Sequence, residues 1–133
     1  MEQKRFNERI KEADLVIIDL INERKIITTL SEQEKVKFTN FYKKQANLSL
    51  IAADLLYTIS TEKASKEFHK LNHDHEFFLW VINPSYYSMF YASQALLAYR
   101  GIRILVQQGI HKTTAHALIY FCIRNNFIAK ELS

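Results

Sequence analysis

The sequence contains few of the residues that make tight turns. Its 133 residues include two glycines and one proline, whereas average usage is about 7% and 5%. Sandwiches, barrels and dinucleotide-binding folds need many turns rich in these residues. The scarcity therefore argues against those folds and against a glycine-rich phosphate-binding loop, and it favours helices.

Cysteine is almost missing. Cys122 is the only one, which excludes an internal disulfide framework and a zinc site built from several thiolates. The first residues are charged throughout and hold no apolar run of the kind that a secretory signal needs. We therefore expect a cytoplasmic protein, in which Cys122 is buried as a small apolar side chain.

Charge is missing from residues 77–99, a stretch long enough to cross a bilayer. Asn83, Pro84 and a series of serines and tyrosines interrupt it, and such polarity is costly in lipid. We interpret the stretch as a helix buried among other helices, with no membrane contact. Asn83-Pro84 indicates either a kink or the start of a new helix, and Gly101 indicates the helix end.

Helical periodicity accounts for most of the remaining chain, which predicts one helical domain over residues 1–133. Apolar spacing predicts helices at residues 6–24, 61–71 and 112–126, and residues 102–110 read as a loop or a short strand. Ser31 and Glu34 form a capping box at the start of another helix. The most regular apolar stripe follows it, and such a seam can pack within the domain or against a second copy. The stripe consists of Phe38, Phe41, Gln45, Leu48, Ala52, Leu55 and Ile59.

Three segments together resemble the HEPN domain (higher eukaryotes and prokaryotes nucleotide-binding). Residues 83–92, NPSYYSMFYA, are followed by Ala95-Leu96-Leu97 and Gly101, residues 116–121 read HALIYF, and residues 46–56 form an Ala- and Leu-rich helix before them. The resemblance covers about residues 40–132. It implies an all-α, antiparallel up-and-down bundle of about four to five helices, with residues 36–133 as the HEPN-like core and residues 1–35 as an additional helical segment. It also implies a homodimer and, in many members, a nucleotidyltransferase-like partner in a toxin–antitoxin pair.

Catalytic HEPN members carry an arginine, four to six residues, and then a histidine. Here seven residues separate Arg103 from His111 and twelve separate it from His116, so the ribonuclease motif is absent. If the chain cleaves RNA without a metal, we expect His116 or His111 as the general base and Arg103 or Lys112 as the stabilising cation. The alternative to a catalytic role is a structural one, in which His111 or His116 caps the last helix.

Positive charge is concentrated late in the chain. Residues 77–133 hold five Lys or Arg against one acid, and clustered cations attract phosphate backbones. The predicted nucleic-acid contacts are Arg100, Arg103, Lys112, Tyr86 and Tyr87, although core packing is the favoured interpretation of the two tyrosines, as it is of Phe90 and Tyr91. We expect no cofactor and no metal site, and interpret His69, His73 and His75 beside Asp74 as solvated.

Two functions follow from these observations. The first is an RNA- or nucleotide-binding HEPN protein, the toxin-like half of a two-component pair. The alternative is a non-catalytic, homodimeric helical adaptor that binds a partner protein such as a nucleotidyltransferase-like antitoxin.

Overall fold

The computed structural model describes residues 1–123. It shows an all-α protein, as predicted. The only sheet in the described part consists of two strands of two residues each. The elements are α1 (Glu2–Asn22), β1 (Ile26–Ile27), α2 (Glu32–Thr61), α3 (Lys63–Phe68), α4 (Phe78–Tyr99), β2 (Arg103–Ile104), α5 (Ile110–Leu118) and a π-helical segment (Ile119–Ile123).

The residues cluster into two compact units. The terminal unit comprises Met1–Asn40 together with the described residues from Ser93 onward, and the hairpin unit comprises Phe41–Ala92. The helices α2 and α4 each contribute residues to both units. The predicted boundary at residue 36, between an additional segment and a HEPN-like core, stays a prediction.

The terminal unit has a small apolar core. Ile17 of α1, Leu97 of α4 and Cys122 of the π-helical segment are its largest fully buried side chains. Strand β1 pairs with β2 antiparallel, with Ile26 opposite Ile104, both buried. The helices of this unit therefore pack around one apolar core.

Gly101 ends α4, as the sequence predicts. Its φ of 83° lies in the left-handed region, which glycine enters without a steric penalty. The amide of Ile102 donates to the Leu97 carbonyl and the amide of Gly101 donates to the Ala98 carbonyl, both at 2.9 Å. This is a Schellman motif, and it turns the chain from α4 into β2.

The hairpin unit contains two antiparallel helical segments. Ser88 of α4 donates its hydroxyl to the Ala46 carbonyl of α2 at 3.0 Å. Near the other end, the rings of Tyr57 and Phe78 lie 6.1 Å apart. Because the contacted position on α4 falls as the position on α2 rises, the two helices run in opposite directions.

Hydrogen bonds stabilise the connection between the two antiparallel segments, which belong to α2 and α4. Lys66 of α3 is buried, and its ammonium donates to the His73 carbonyl at 2.6 Å. The Ser60 hydroxyl accepts from the Phe77 amide, also at a short 2.7 Å. These bonds hold residues 69–77, which are outside regular structure, against the helices on either side.

Helix boundaries differ from prediction where local backbone geometry overrides periodicity. The first helix begins at Glu2 rather than residue 6, where an acidic side chain favours the positive end of the helix dipole. The capping box is confirmed by reciprocal 3.2 Å bonds between Ser31 and Glu34. The third helix, predicted from residue 61 to 71, is shorter, because Glu62 is extended and Lys70 is left-handed.

The last two predicted helices also need adjustment. Helix α4 runs without interruption through Asn83 and Pro84, so no new helix begins there. The prediction that this stretch is buried among other helices is wrong for its first part, since Leu79 and Met89 are 81% and 72% exposed, and holds only from Gln94 to Ala98. The last helix begins at Ile110 and passes into the π-helical segment at Ile119. The predicted end at residue 126 lies outside the described residues.

Candidate functional site

The predicted base His116 lies inside the terminal unit. It is 8% exposed, and its Nε2 lies 3.6 Å from the Glu12 carboxylate of α1. Its Nδ1 is buried and makes no hydrogen bond within the described part of the chain. The contact is an ion pair only when the imidazole is protonated. His116 therefore links α5 to α1, and only its edge meets solvent.

Arg103 lies on an aromatic face. Its guanidinium carbon is 4.1 Å from the centroid of the Phe38 ring, a cation–π arrangement. Arg103 therefore contacts Phe38 and His116 contacts Glu12. Neither a hydrogen bond nor an ion pair links these two predicted catalytic groups in the described part of the chain.

The other predicted cations of the terminal unit lie in different surroundings. Lys112 is exposed in the first turn of α5, and His111 beside it is half-buried. Arg100 is half-buried after α4 and lies close enough to Cys122 for its charge to lower the pKa of the thiol. Burial has the larger effect and raises the pKa of Cys122 overall. The thiol is therefore held neutral and buried, as predicted.

The predicted stacking tyrosines belong to the hairpin unit. Tyr86 and Tyr87 are 50% and 43% exposed, whereas Phe90 and Tyr91 are half-buried. The Tyr91 ring stacks on Tyr42 of α2 at 6.3 Å between centroids, with 24° between planes. Tyr91 thus joins the two helices of the hairpin, and Tyr86 and Tyr87 present much of their rings to solvent.

A groove on the hairpin unit combines residues of the predicted apolar stripe with Trp80, which the sequence did not single out. Its cavity volume is about 680 Å³. Its apolar lining includes Trp80, which is the only tryptophan and is 64% exposed, together with Tyr87 and Leu48. Gln45, Ser49 and Asn83 supply the polar lining. We call this surface the groove face.

The groove face carries the most regular apolar stripe of the sequence. Gln45, Leu48 and Ala52 of that stripe line the groove, and Leu55 continues it at helical spacing. Leu48 is 48% exposed and Leu55 is 58% exposed, so the stripe is not covered within the hairpin unit. The spacing identified this stripe in the sequence, because an apolar helix face needs a covering partner.

A second groove, which we call the opposite face, lies on the other side of the hairpin unit. Its cavity volume is about 480 Å³, and it is lined by Leu50, Tyr57 and Val81 among others. Asp54 also lines it. The two grooves therefore differ in charge, because no Asp, Glu, Lys, Arg or His lines the groove face.

The described residues hold no group of three or more His, Cys, Asp or Glu side chains arranged to bind a metal ion. None of the helices in residues 1–123 combines the length and the apolar character that crossing a membrane requires. Comparison of the chain with protein-family models, with curated proteins and with solved structures found no match.

Proposed function

We propose that this chain is a HEPN-like helical adaptor that works by binding another protein through its hairpin unit. The segments that resemble the HEPN domain support this proposal, since residues 46–56 lie in α2, residues 83–97 lie in α4, and residues 116–121 lie in α5 and the π-helical segment. We expect it to act in the cytoplasm, where its buried free thiol stays reduced.

The exposure of apolar side chains on both sides of the hairpin carries the proposal. Leu48 and Trp80 are exposed on the groove face, and Leu50 and Tyr57 are exposed on the opposite face. Contiguous exposed apolar surface is unusual in a monomer and marks interaction sites. His116, one of the two predicted general bases, is in contrast buried against Glu12, which favours the adaptor over a ribonuclease that uses this histidine.

Affinity purification tests the adaptor function. The tagged wild-type chain, Leu48→Glu and Leu50→Glu are expressed in the native cells, and the retained proteins are identified and quantified. These two leucines lie two residues apart on α2 with similar exposure, so each variant is the control for the other. We expect a stoichiometric nucleotidyltransferase-like partner that one of the two variants loses. Retention of no other protein by the wild type would refute the adaptor function.

The second candidate is the binding of RNA or nucleotides, which the charge of the terminal unit favours. Arg103 presents a guanidinium beside the Phe38 ring, and Lys112 is exposed. Counterion release predicts that RNA affinity falls steeply as salt rises. We expect Lys112→Gln to weaken binding and to flatten that dependence, while Lys43→Gln, an exposed cation on α2 in the hairpin unit, provides the control. No binding at low salt would exclude this candidate.

Cleavage is tested separately, with RNA incubated in chelator with the wild type and with His116→Ala. Because His116 also contacts α1, circular dichroism must show that the variant is folded. Loss of cleavage in a folded variant would support a metal-independent ribonuclease. Equal or absent cleavage leaves the adaptor as the interpretation.

A further inference from the structure

We infer that the opposite face of the hairpin unit binds a basic amphipathic helix, one that carries an apolar stripe with a Lys or Arg beside it. This inference rests on the proposed protein-binding role of the hairpin unit, and it names the chemistry of the partner on one of its two faces. The charge of the groove, the size of its side chains and the helical walls on both sides lead to this occupant.

The first observation is an isolated acidic residue on an apolar surface. Asp54 is the only Asp, Glu, Lys, Arg or His in residues 45–61 and 77–92. It is exposed, lines the opposite face and takes part in none of the ion pairs between described residues. A partner that covers this face removes Asp54 from water, and an unpaired buried charge is costly. A Lys or Arg on the partner avoids that cost, whereas the phosphates of RNA or of an anionic lipid would be repelled.

Small side chains form the most buried part of the groove. Ala53 is 5% exposed. The Ser85 hydroxyl, on the other helix, already donates to the Val81 carbonyl at 2.8 Å, so it does not need a polar group on the partner. Leu50 and Tyr57 also line the groove, and each is more than half exposed. Apolar side chains of a partner that lie between these walls therefore bury apolar surface on both sides.

The spacing of the lining residues suits a helix as the occupant. Leu50, Asp54 and Tyr57 follow one another at four and three residues on α2, which places them along one helix face. They extend over about 10 Å, the length of two turns of an incoming helix. Both walls belong to helices, which offer an extended peptide no strand edge to pair with. A helix instead satisfies its own backbone and contacts the groove through side chains alone.

These constraints define the sequence pattern of the partner. We expect apolar residues at i, i+3 or i+4 and i+7, with a Lys or Arg at the edge of that stripe, close to Asp54. One helix in one groove buries less surface than the roughly 800 Å² per partner of a standard complex, so the contact is transient. We expect a dissociation constant on the order of 10–100 μM.

Selection from a display library tests the inference. The library presents helical peptides with leucine at the stripe positions and any residue beside the stripe, and it is selected on the full chain. Peptides with Lys or Arg beside the stripe should be enriched on the wild type and on Leu48→Glu, which alters the groove face, but not on Leu50→Glu. Asp54→Lys should enrich Asp or Glu at that position. Circular dichroism confirms that each variant is folded.

A synthetic copy of an enriched peptide measures the contribution of the charge. Fluorescence anisotropy should show that Asp54→Asn weakens binding about five-fold and that Asp54→Lys weakens it at least about ten-fold. Replacing the Lys or Arg of the peptide with Glu should weaken binding to the wild type and strengthen binding to Asp54→Lys. This reciprocal change identifies Asp54 as the residue that pairs with the cation.

The outcomes separate this inference from the adaptor function. Enrichment without a preference for Lys or Arg, enrichment that Leu50→Glu leaves intact, or a wild type that dimerises through Leu50 in sedimentation equilibrium would each overturn the inference. If the chain retains a protein through Leu48 and enriches no basic peptide, the adaptor function is supported and this inference fails. If basic peptides bind through Asp54 but the chain retains no protein from cells, the inference is supported and the adaptor function fails.

Discussion

Gln94 of α4 and Thr114 of α5 are joined by a buried hydrogen bond in the terminal unit. The Gln94 amide donates to the Thr114 hydroxyl at 2.7 Å, and that hydroxyl donates in turn to the Ile110 carbonyl at 2.7 Å. Both side chains are 3% exposed. One hydroxyl therefore satisfies a buried amide and ties it to the first turn of the next helix.

Replacing Thr114 with valine tests the energetic role of this bond. The change leaves the buried Gln94 amide without its acceptor, which costs about 1–3 kcal/mol. Thr113→Val is the matched control, because Thr113 is also buried but makes no side-chain hydrogen bond in the described residues. Urea denaturation should show the loss for Thr114→Val and a change within about 0.5 kcal/mol for Thr113→Val. Equal losses would mean that the bond contributes nothing.

The two glycines allow backbone strain to be separated from crowding. Gly101 and Gly109 have φ values of 83° and 71°, so alanine at either position is strained by about 1–2 kcal/mol. A Cβ at Gly101 would also lie 3.0 Å from Cε of Lys35, whereas one at Gly109 would meet nothing within 4 Å. We expect Gly101→Ala to lower the free energy of unfolding more than Gly109→Ala, measured in urea. The reverse order would contradict this account.

Arg24 occupies a left-handed position that glycine would fill without strain. Its φ is 60°. At the end of α1, the Arg24 amide donates a hydrogen bond to the Ile21 carbonyl, and the Lys25 amide donates one to the Leu20 carbonyl. We expect Arg24→Gly to stabilise the fold by about 0.5–1 kcal/mol, because relief of the strain exceeds the entropy that glycine adds to the unfolded chain. Arg9→Gly, at an exposed position inside the same helix, should instead destabilise by about 1 kcal/mol. Thermal denaturation distinguishes the two changes.

Because the thiol of Cys122 is buried, we expect the protein to lose stability at alkaline pH. Desolvation by burial raises the pKa of its thiol above the usual 9.0. The unfolded chain therefore loses this proton at a lower pH than the folded chain does. The stability that the thiol contributes is complete below pH 9 and decreases as the pH rises above it, by at most about 1.4 kcal/mol per pH unit.

The Cys122→Ala variant isolates this effect from the titration of lysines and tyrosines. It lowers stability at pH 7.5, because it removes a buried sulfur, but we expect a smaller further loss between pH 8.5 and 10 than in the wild type. Urea denaturation at several pH values provides the comparison. Parallel curves for the two proteins would show that the raised pKa has no effect on folding.

The sequence predicts features that depend on neighbouring residues better than features that depend on packing. The Ser31–Glu34 capping box and the Gly101 helix end were predicted correctly, because each requires only a few adjacent residues. Pro84 was ambiguous, since a proline suits a helix start and can also kink a continuous helix. Its place inside α4 is decided by contacts such as that of Ser88 with Ala46, which no local pattern contains.

The candidate surfaces could be predicted only in part. Regular spacing identified the stripe that contains Leu48, but spacing does not reveal whether the chain covers a stripe or leaves it exposed. Trp80 was missed because its neighbours on the groove wall, such as Gln45, come from a different helix. The contact between His116 and Glu12 likewise joins residues about one hundred positions apart.

The emission of Trp80 tests the central claim most directly, since this is the only tryptophan and it lies on the groove face with 64% of its surface exposed. If the hairpin unit binds its partner through this face, the emission of Trp80 shifts to shorter wavelength as the partner protein retained in affinity purification is added from 1 to 300 μM and its own emission is subtracted. Leu50→Glu should show the same shift, and Leu48→Glu should keep the long-wavelength emission throughout. An emission maximum of the wild type that does not change over this range would contradict the account.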